Sequence, residues 1–451
     1  VEQNQPGTTR VQILRPNSGA SAANPAAIRA SDPAARALID QLPNGIVGTE
    51  VLRTPLQDRS STPLLFDANL RTPYVNQWNF SIQHEIIRDT VLEVAYVGNK
   101  GTKMFRMLNE NQATVTPEFL SSFQAAQQRI RTGPVGALLN TYGNTLPSSI
   151  NTDLTNNSIG NFITTMDTGV FNRVVGGRLV AAGLGQGYFR NPQFTTAALG
   201  CSCTNTKYNA LQISLNRRFR QGLMFMANYT WAKSLDDISD DTNGAGQGLL
   251  IPTDNNNRRL DWGRSNFDIR HQFRSAVIYD LPFGKNRAFF NQGGVLDWVI
   301  GGWTTNTIID WSSGYPFTVS SGRATLWPGV TTSAVFQGDP TAVGSLAKNG
   351  NAVNWFTAQE IAQFSVPSPG AYGAGRNIFT GPGFFQTDFG LHKNFPFTER
   401  IRLELRGEAF NVFNNQNFNP PNVTSTAAAF GVISTLRVPP RIMQIAAKIV
   451  F

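Results

Sequence analysis

The chain has 451 residues, of which 15% are charged, and a formal net charge of +9. The Lys and Arg residues are scattered and form no dense basic run, which argues against nucleic acid as a partner; attraction to anionic lipopolysaccharide or to an acidic ligand accounts for the charge equally well. No apolar run reaches the roughly 18 residues of a membrane helix, yet 31 Phe and 41 Gly fit either membrane strands or a soluble all-β protein.

Residues 1–74 show no strand periodicity. Pro and Asn interrupt this segment, and one short helix is predicted from Ser31, with Ala35 to Leu42 as its body. Large apolar residues are too few to close a core. We therefore predict an irregular extracellular segment that leads into a strand region covering residues 75–451.

Two hairpins with one apolar and one polar face are predicted next. Short turns join their strands at Arg88-Asp89 and at Arg220-Gln221-Gly222. In bacterial barrels short turns are periplasmic and long loops are extracellular, which sets the orientation of the chain. In the second hairpin the apolar residues alternate with three residues predicted to face the lumen, namely Gln212, Ser214 and Asn216.

Three long segments without strand alternation are predicted to be large extracellular loops. They cover residues 98–206, 235–264 and 313–383, and helices are predicted within them at Pro117 to Ile130 and Thr357 to Phe364. Structureless connections of this length are unusual inside a compact soluble domain. Loops on a barrel usually carry recognition, so these three are the predicted ligand-contacting surface.

The second loop contains four clustered carboxylates, Asp236, Asp237, Asp240 and Asp241. Carboxylates at such close spacing can bind Ca²⁺, but they do not fit the twelve-residue helix-loop-helix pattern. They are weak metal candidates, and a solvated acidic loop is the alternative.

The only two cysteines form a Cys201-Ser-Cys203 triplet. No His lies nearby, so the triplet offers too few ligands for a metal site. A tight disulfide in an oxidising compartment and a pair of free thiols both remain open.

The C-terminal strands carry the clearest alternation. Between Ile401 and Ala409 the apolar residues alternate with four charged residues, which are Arg402, Glu404, Arg406 and Glu408. An Arg at the middle of the membrane costs roughly 2–4 kcal/mol, so this charged face is predicted to line the lumen. A last amphipathic strand ends at Phe451, which resembles the assembly signal that barrel-assembly machinery reads in bacterial outer-membrane barrels.

These residues together resemble the barrel of TonB-dependent receptors, and within that family the Oar-like proteins that carry a carboxypeptidase-regulatory-like domain. The resemblance covers Thr72 to Phe451 and rests on three segments, Tyr208 to Phe219, Ala227 to Ser234 and Arg402 to Asn414. It implies an all-β chain that is the C-terminal part of a large transmembrane β-barrel. About nine antiparallel strands are predicted; an odd number cannot close antiparallel on itself.

The resemblance also implies function and partners. In that family extracellular loops capture a ligand, and the TonB complex supplies energy through a plug near the N-terminus. No such plug and no signal peptide are visible and the chain begins with Val, so we expect a fragment in contact with outer-membrane lipid and an unknown small ligand. The alternatives are an Oar-like structural or adhesive surface protein without transport and a soluble all-β binding protein.

No catalytic or cofactor motif appears in the sequence. His84, His271 and His392 stand alone without a second ligand at a suitable spacing, and no nucleophile elbow, Walker loop or dinucleotide fingerprint is present. Glu404 and Glu408 interleave with Arg residues, which favours a charge ladder over an acid-base pair. The expectation is a non-enzymatic protein without a cofactor.

Overall fold

A computed structural model describes residues 64–168, 170–171, 174–175, 178, 181–183, 188–189, 196–239, 252–349, 352–398 and 400–451. The helix predicted from Ser31 lies outside the described residues. Nine long strands form one antiparallel sheet in chain order. They are β1 Tyr74–Ile87, β2 Thr90–Asn109, β3 Ala198–Arg220, β4 Leu223–Asp236, β5 His271–Asp280, β6 Trp303–Ser312, β7 Phe384–Pro396, β8 Arg402–Phe410 and β9 Ile442–Val450.

Helices occupy only the connections. They are α1 Pro117–Gln127, α2 Gly133–Asn140, α3 Ser148–Thr155, α4 Ile159–Thr168, α5 Val295–Ile300 and α6 Ala358–Ile361, with a 3₁₀ turn at Arg258–Asp261. Over the described ranges, no helix combines the length and the apolar character needed to cross a membrane.

The prediction of about nine antiparallel strands is confirmed. Backbone conformation fixes the two short turns: Asp89 has φ +66°, and Gln221 and Gly222 have φ +52° and +78°. In the second turn both central residues have positive φ, which gives a turn whose twist matches the flanking strands. The sheet stays open, since within the described part of the chain β1 pairs only with β2 and β9 only with β8.

The strand register separates the sheet into an apolar and a polar face. Directly paired residues of an antiparallel sheet point to the same side. One row of paired residues is apolar across seven strands: Ile82, Val94, Ile213, Tyr229, Phe273, Trp311 and Phe385. The adjacent row, on the other face, is polar: Gln83, Glu93, Ser214, Asn228, Arg274, Asp310 and Gln386.

The apolar face has no packing partner within the described residues. Phe80 is 67% exposed and Ile445 is 84% exposed. Leaving so much apolar surface in water would be costly, whereas lipid is its natural solvent. Above the aromatic residues Tyr96 and Trp231, this face carries the exposed lysines Lys100, Lys207 and Lys233, which mark where it leaves the hydrocarbon.

The first large loop is shorter than its predicted range of 98–206. Strand β2 continues to Asn109 and β3 begins at Ala198, so the connection runs from 110 to 197. Bulges at Lys103, which has φ +58°, and at Cys203 interrupt the register. Each bulge shifts the alternation by one residue, which hid these strand extensions from a periodicity argument.

This connection is also not structureless, because helices α1 to α4 pack into a core of their own. Helix α1 ends at Gln127, three residues before its predicted end, and Arg129 has φ +64°. Thr116 Oγ1 accepts a hydrogen bond from Phe119 N at 3.2 Å and so caps α1. The side chains that share this core include Phe119, Phe123, Val135, Leu138, Leu139, Ile150, Ile159, Phe162, Ile163 and Met166. We call α1 to α4 the helical module.

Residues 313–383 form a second core together with residues 418–433. Its members are largely aromatic and include Phe317, Phe356, Phe379 and Phe430, whose rings lie 5.5–6.2 Å apart in four pairs. Short strands pair within it: Pro316–Phe317 with Phe379–Thr380, Val335–Phe336 with Phe364–Ser365, and Ala352–Asn354 with both Ala347–Asn349 and Val432–Ile433. We call this the aromatic module.

The two modules touch each other above the sheet. Gly160 N donates to Ala324 O at 2.8 Å, and Asn157 Nδ2 donates to Pro367 O at 3.1 Å. A Cβ at Gly160 would lie 2.3 Å from Trp327 O, so only glycine allows this approach. We call the two modules and the segment 252–266 the cap.

Candidate functional site

The predicted lumen residues lie on the polar face but do not gather into one site. Gln212, Ser214 and Asn216 pair with Thr230, Asn228 and Met226 of β4. On β8, Arg402 Nε donates to Glu404 Oε1 at 3.1 Å, Arg406 lies opposite His392, and Glu408 accepts a hydrogen bond from Gln444. These side chains share the polar face of the sheet, which is the face predicted to line the lumen.

A buried ion pair fixes the cap to the end of β4. Arg376 Nη1 contacts Asp236 Oδ1 at 2.7 Å and donates to the carbonyl oxygens of Asp236 and Asp261, both at 3.0 Å. Arg376 also donates to Ser239 and Asn266. The Asp236 side chain is only 2% exposed, so it depends on this guanidinium for its charge balance.

A second buried arginine joins β2 to the same segment. Arg106 Nη2 contacts Asp261 Oδ2 at 2.9 Å, and Nη1 donates to Asp237 O at 3.1 Å. Asp237 Oδ1 accepts from Asn205 N at 3.2 Å. Burial raises the pKa of the Asp237 carboxyl, and the Asn205 hydrogen bond and the Arg106 charge act in the opposite direction. The segment around Asp261 is therefore held from two strands.

The proposed calcium ligands have other partners where the structure describes them. Asp236 and Asp237 make the contacts with Arg376, Arg106 and Asn205, while Asp240 and Asp241 lie outside the described residues. Within the described ranges no group of three His, Cys, Asp or Glu residues could hold a metal ion.

The fixed loops enclose a cavity of about 420 Å³. Its lining combines a cation, rings, hydroxyls and amides, including Arg259, Trp262, Asn266, Thr331, Tyr372 and Asn377. A second cavity of about 390 Å³ shares Arg259 and Trp262 with the first, so these two side chains separate two openings. Arg259, Trp262 and Tyr372 are exposed, and Arg259 makes no ion pair in the described part of the chain.

The larger cavity lies over the polar face of the sheet, at the end of β4. Asp236 is in phase with Asn228 and Thr230 on the polar face of β4, and Gly263 is its partner. A Cβ at Gly263 would lie 2.6 Å from Arg376 O, so the chain at Arg376 passes directly over this face. The cavity walls at 372–377 are thereby positioned over the interior side of the sheet.

The remaining sequence candidates lie elsewhere. Cys201 and Cys203 are joined by a disulfide in β3, and Cys203 O accepts from Arg258 Nη1 at 3.1 Å beside the smaller cavity. Phe451 is exposed one residue beyond β9. His271 Nδ1 lies 2.8 Å from Tyr229 Oη.

Sequence reasoning missed Arg259, Trp262, Tyr372 and Arg376. They come from two loops more than a hundred residues apart, and neither loop has a periodic pattern that orients its side chains. The local sequence feature that could have indicated this site is Trp262, which follows the adjacent Arg258 and Arg259 in a polar loop.

The sequence profile of the family described as "Outer membrane beta barrel domain" matches residues 1–444. No curated protein matches the chain. Among solved structures, the outer membrane transporter YddB from Escherichia coli has 9% identity and a TM-score of 0.37, covering 86% of this chain and 34% of YddB.

Two receptors from Pseudomonas aeruginosa show a similar degree of likeness. FpvA bound to heterologous pyoverdines has 12% identity and a TM-score of 0.30, covering 84% of this chain and 27% of FpvA. A variant of the ferric enterobactin receptor PfeA has 9% identity and a TM-score of 0.32, covering 85% of this chain and 32% of PfeA. The chain spans about a third or less of each of these proteins.

Proposed function

Because the chain belongs to the outer membrane β-barrel domain family, we propose that its nine strands are part of the wall of a TonB-dependent receptor that captures a ligand for import. Its place is the bacterial outer membrane. Lipid tolerates no open sheet edge, and β1 and β9 each have one free edge within the described residues. Further strands must therefore complete the wall.

The observation that carries the receptor role is the anchored cap with its cavity at the lumen mouth. A loop layer without function would have no need of two buried Arg-Asp pairs, because such pairs are costly to desolvate. Here they hold Trp262 and Arg259 beside the segment 372–377. Rigid placement of the lining lowers the entropy lost when a ligand binds.

The lining favours a particular class of ligand. Arg259 supplies an unpaired positive charge, Trp262 and Tyr372 supply ring faces, and Thr331 and Asn377 supply hydrogen-bonding groups. Such a mixture suits a small polar molecule with negative charge and either rings or hydroxyl groups. The proposed role is capture and not catalysis.

The proposal includes partners that the chain itself does not provide. Import needs energy from the TonB complex, acting through a plug in the lumen that the strands would surround. The polar face of β3, β4 and β8 is the surface that such a plug would touch. The barrel-assembly machinery would read the last strand and Phe451.

The two alternatives differ in what the molecule contains. A soluble binding protein would pack its apolar strand faces on another layer, and within the described residues Phe80 and Ile445 have no such cover. An adhesive protein would use the cap without import, and it is separated from a receptor by the uptake experiment that follows.

The test compares three strains of the source bacterium: one lacking the complete gene that encodes this chain, one lacking TonB, and the parent. Spent medium is profiled by mass spectrometry. The receptor role predicts that at least one small polar molecule stays in the medium of both mutants but is depleted by the parent. If both mutants deplete the medium as the parent does, the import proposal is refuted.

Two variants of the complete protein connect uptake to the cavity. Replacing Arg259 with Gln and Trp262 with Ala together should reproduce the uptake defect at unchanged surface amount. Lys348→Gln, an exposed change in the cap away from the cavity, is the matched control and should behave as wild type. Normal uptake by the double variant would contradict this site.

A further inference from the structure

The connection between β5 and β6 differs from the other periplasmic turns. Two residues each join β1 to β2 and β3 to β4, whereas residues 281–302 separate β5 from β6 and contain helix α5. This connection exposes six large apolar side chains, with Val295 at 81%; they are Phe289, Phe290, Val295, Leu296, Trp298 and Val299. A patch of large apolar side chains is unfavourable in water, so we expect an apolar neighbour to cover it.

The register places α5 on the outer side of the wall. Trp303 pairs with Lys393, Lys393 with Leu405, and Phe395 with Leu403. These residues share the phase of the apolar face, on which Leu405 and Leu403 also lie. Any element held by Trp303, Lys393 and Phe395 is therefore held outside the lumen.

Helix α5 is fastened to this outer surface by specific contacts. Lys393 Nζ donates to Val299 O at 2.9 Å and to Gly301 O at 2.6 Å, at the C-terminal end of the helix. Trp303 Nε1 donates to Val299 O at 3.0 Å. The Trp298 ring lies 4.9 Å from the Phe395 ring. The helix is thus docked in one orientation by both polar and aromatic contacts.

The docked orientation leaves the polar groups satisfied and the apolar ones uncovered. Asp297 is the one charged residue of α5, and its Oδ1 accepts from Lys285 N at 2.6 Å, within the connection. Lys393 is only 4% exposed because the helix end and the rings of Trp303 and Phe395 surround it. What projects away from the wall is Val295, Leu296 and Val299.

We propose that α5 and the Phe289-Phe290 segment insert into the inner leaflet of the outer membrane as an interfacial anchor, with phospholipid as the occupant. The apolar surface of α5 is continuous with the lipid-facing surface of β7 and β8, and it lies at the end of the sheet opposite the cap. An amphipathic helix in this position rests at the boundary between headgroups and acyl chains. This inference rests on the barrel and not on the proposed ligand capture.

The test measures the surroundings of two side chains in the same connection. Single cysteines replace Val295 or, as the matched control, the exposed Lys285, and a bimane fluorophore is attached without reducing the Cys201–Cys203 disulfide. The complete protein that contains this chain is placed in phospholipid nanodiscs. We expect dibrominated phosphatidylcholine to quench bimane at least twofold more at 295 than at 285, and aqueous iodide to show the reverse order.

Two outcomes would overturn the anchor. Equal iodide quenching at 295 and 285 would place α5 in water. Protection of position 295 from both quenchers would mean that protein covers it, either a second copy or a periplasmic partner. If the labelled proteins do not assemble, the tryptophan fluorescence of the unlabelled protein is compared with that of its Trp298→Phe variant. The fluorescence that this substitution removes must be fluorescence that brominated lipid quenches.

Discussion

Removing the Arg376 guanidinium should release the cap from the end of β4. We take Arg376→Gln, which leaves the Asp236 carboxylate buried without its cation. Breaking a buried ion pair by removing one partner costs about 3–5 kcal/mol. The Arg376 side chain is 18% exposed and Asp236 is 2% exposed, so we expect the low end of that range, about 3 kcal/mol.

Hydrogen exchange of the complete protein folded in detergent measures this loss locally. The amide of Asn377, which donates to Thr318 Oγ1 at 2.8 Å, and that of Ala374, which donates to Ala334 O at 2.9 Å, report opening of the cap. A cost of about 3 kcal/mol corresponds to an acceleration of roughly 100-fold in exchange through local opening.

A matched control separates this effect from the loss of any arginine. Arg274→Gln removes an Arg-Asp pair of the lumen face, with Asp310, in which the Arg side chain is 63% exposed. Exposed pairs contribute about 0–1 kcal/mol, so exchange near residue 274 should change by less than about fivefold. The reasoning is refuted if Arg376→Gln accelerates exchange no more than the control does. Adding Asp236→Asn to Arg376→Gln should recover part of the protection.

Three further predictions concern the wall and the helical module. Ile213→Arg should block assembly into membranes, because an Arg facing lipid costs about 2–4 kcal/mol. Ser214 lies beside Glu93 on the polar face, so Ser214→Arg should assemble normally. Equal yields of the two variants in the membrane fraction would contradict the assigned faces. Burial raises the pKa of Asp153 to about 6, so between pH 4 and 6 the folded helical module binds more protons than the unfolded one, and its stability falls as pH rises through that window. Asp153→Asn should abolish this pH dependence of the thermal unfolding temperature. A retained dependence would mean that another group causes it. Gly160→Ala should separate the two modules because its Cβ would lie 2.3 Å from Trp327 O, and unchanged resistance to limited proteolysis would count against that contact.

The strands could be predicted because their signal is local. Alternation at 211–216 and 401–409 identifies a strand and also its two faces, since lipid accepts one kind of side chain and the lumen another. The short turns gave the order and direction of the hairpins. Bulges escaped this reasoning, as at Lys103 and Cys203, where the phase changes within a continuing strand.

The cap could not be predicted because its contacts are distant in sequence. Arg376 meets Asp236 across 140 residues, and Phe356 and Phe430 meet between segments that show no periodicity. Composition indicated only that these loops are polar. The clustered aspartates suggested a metal site, whereas Asp236 binds Arg376 and the Asp237 carboxylate binds the backbone N–H of Asn205. The two helices that sequence placed, α1 and α6, each carry a local start signal, which is Thr116-Pro117 in α1 and the capping box of Thr357 and Glu360 in α6.

Every proposal for this chain depends on the Leu211 side of β3 meeting lipid and the Gln212 side meeting water. Nitroxide side chains introduced one at a time from Asn209 to Asn216, in the complete receptor in a phospholipid bilayer, test this directly. We predict that oxygen accessibility is high at 211, 213 and 215, that accessibility to a water-soluble nickel complex is high at 212, 214 and 216, and that the two alternate out of phase. Uniform accessibility along the strand, or alternation of the opposite sign, would contradict the barrel wall and the lumen site built on it.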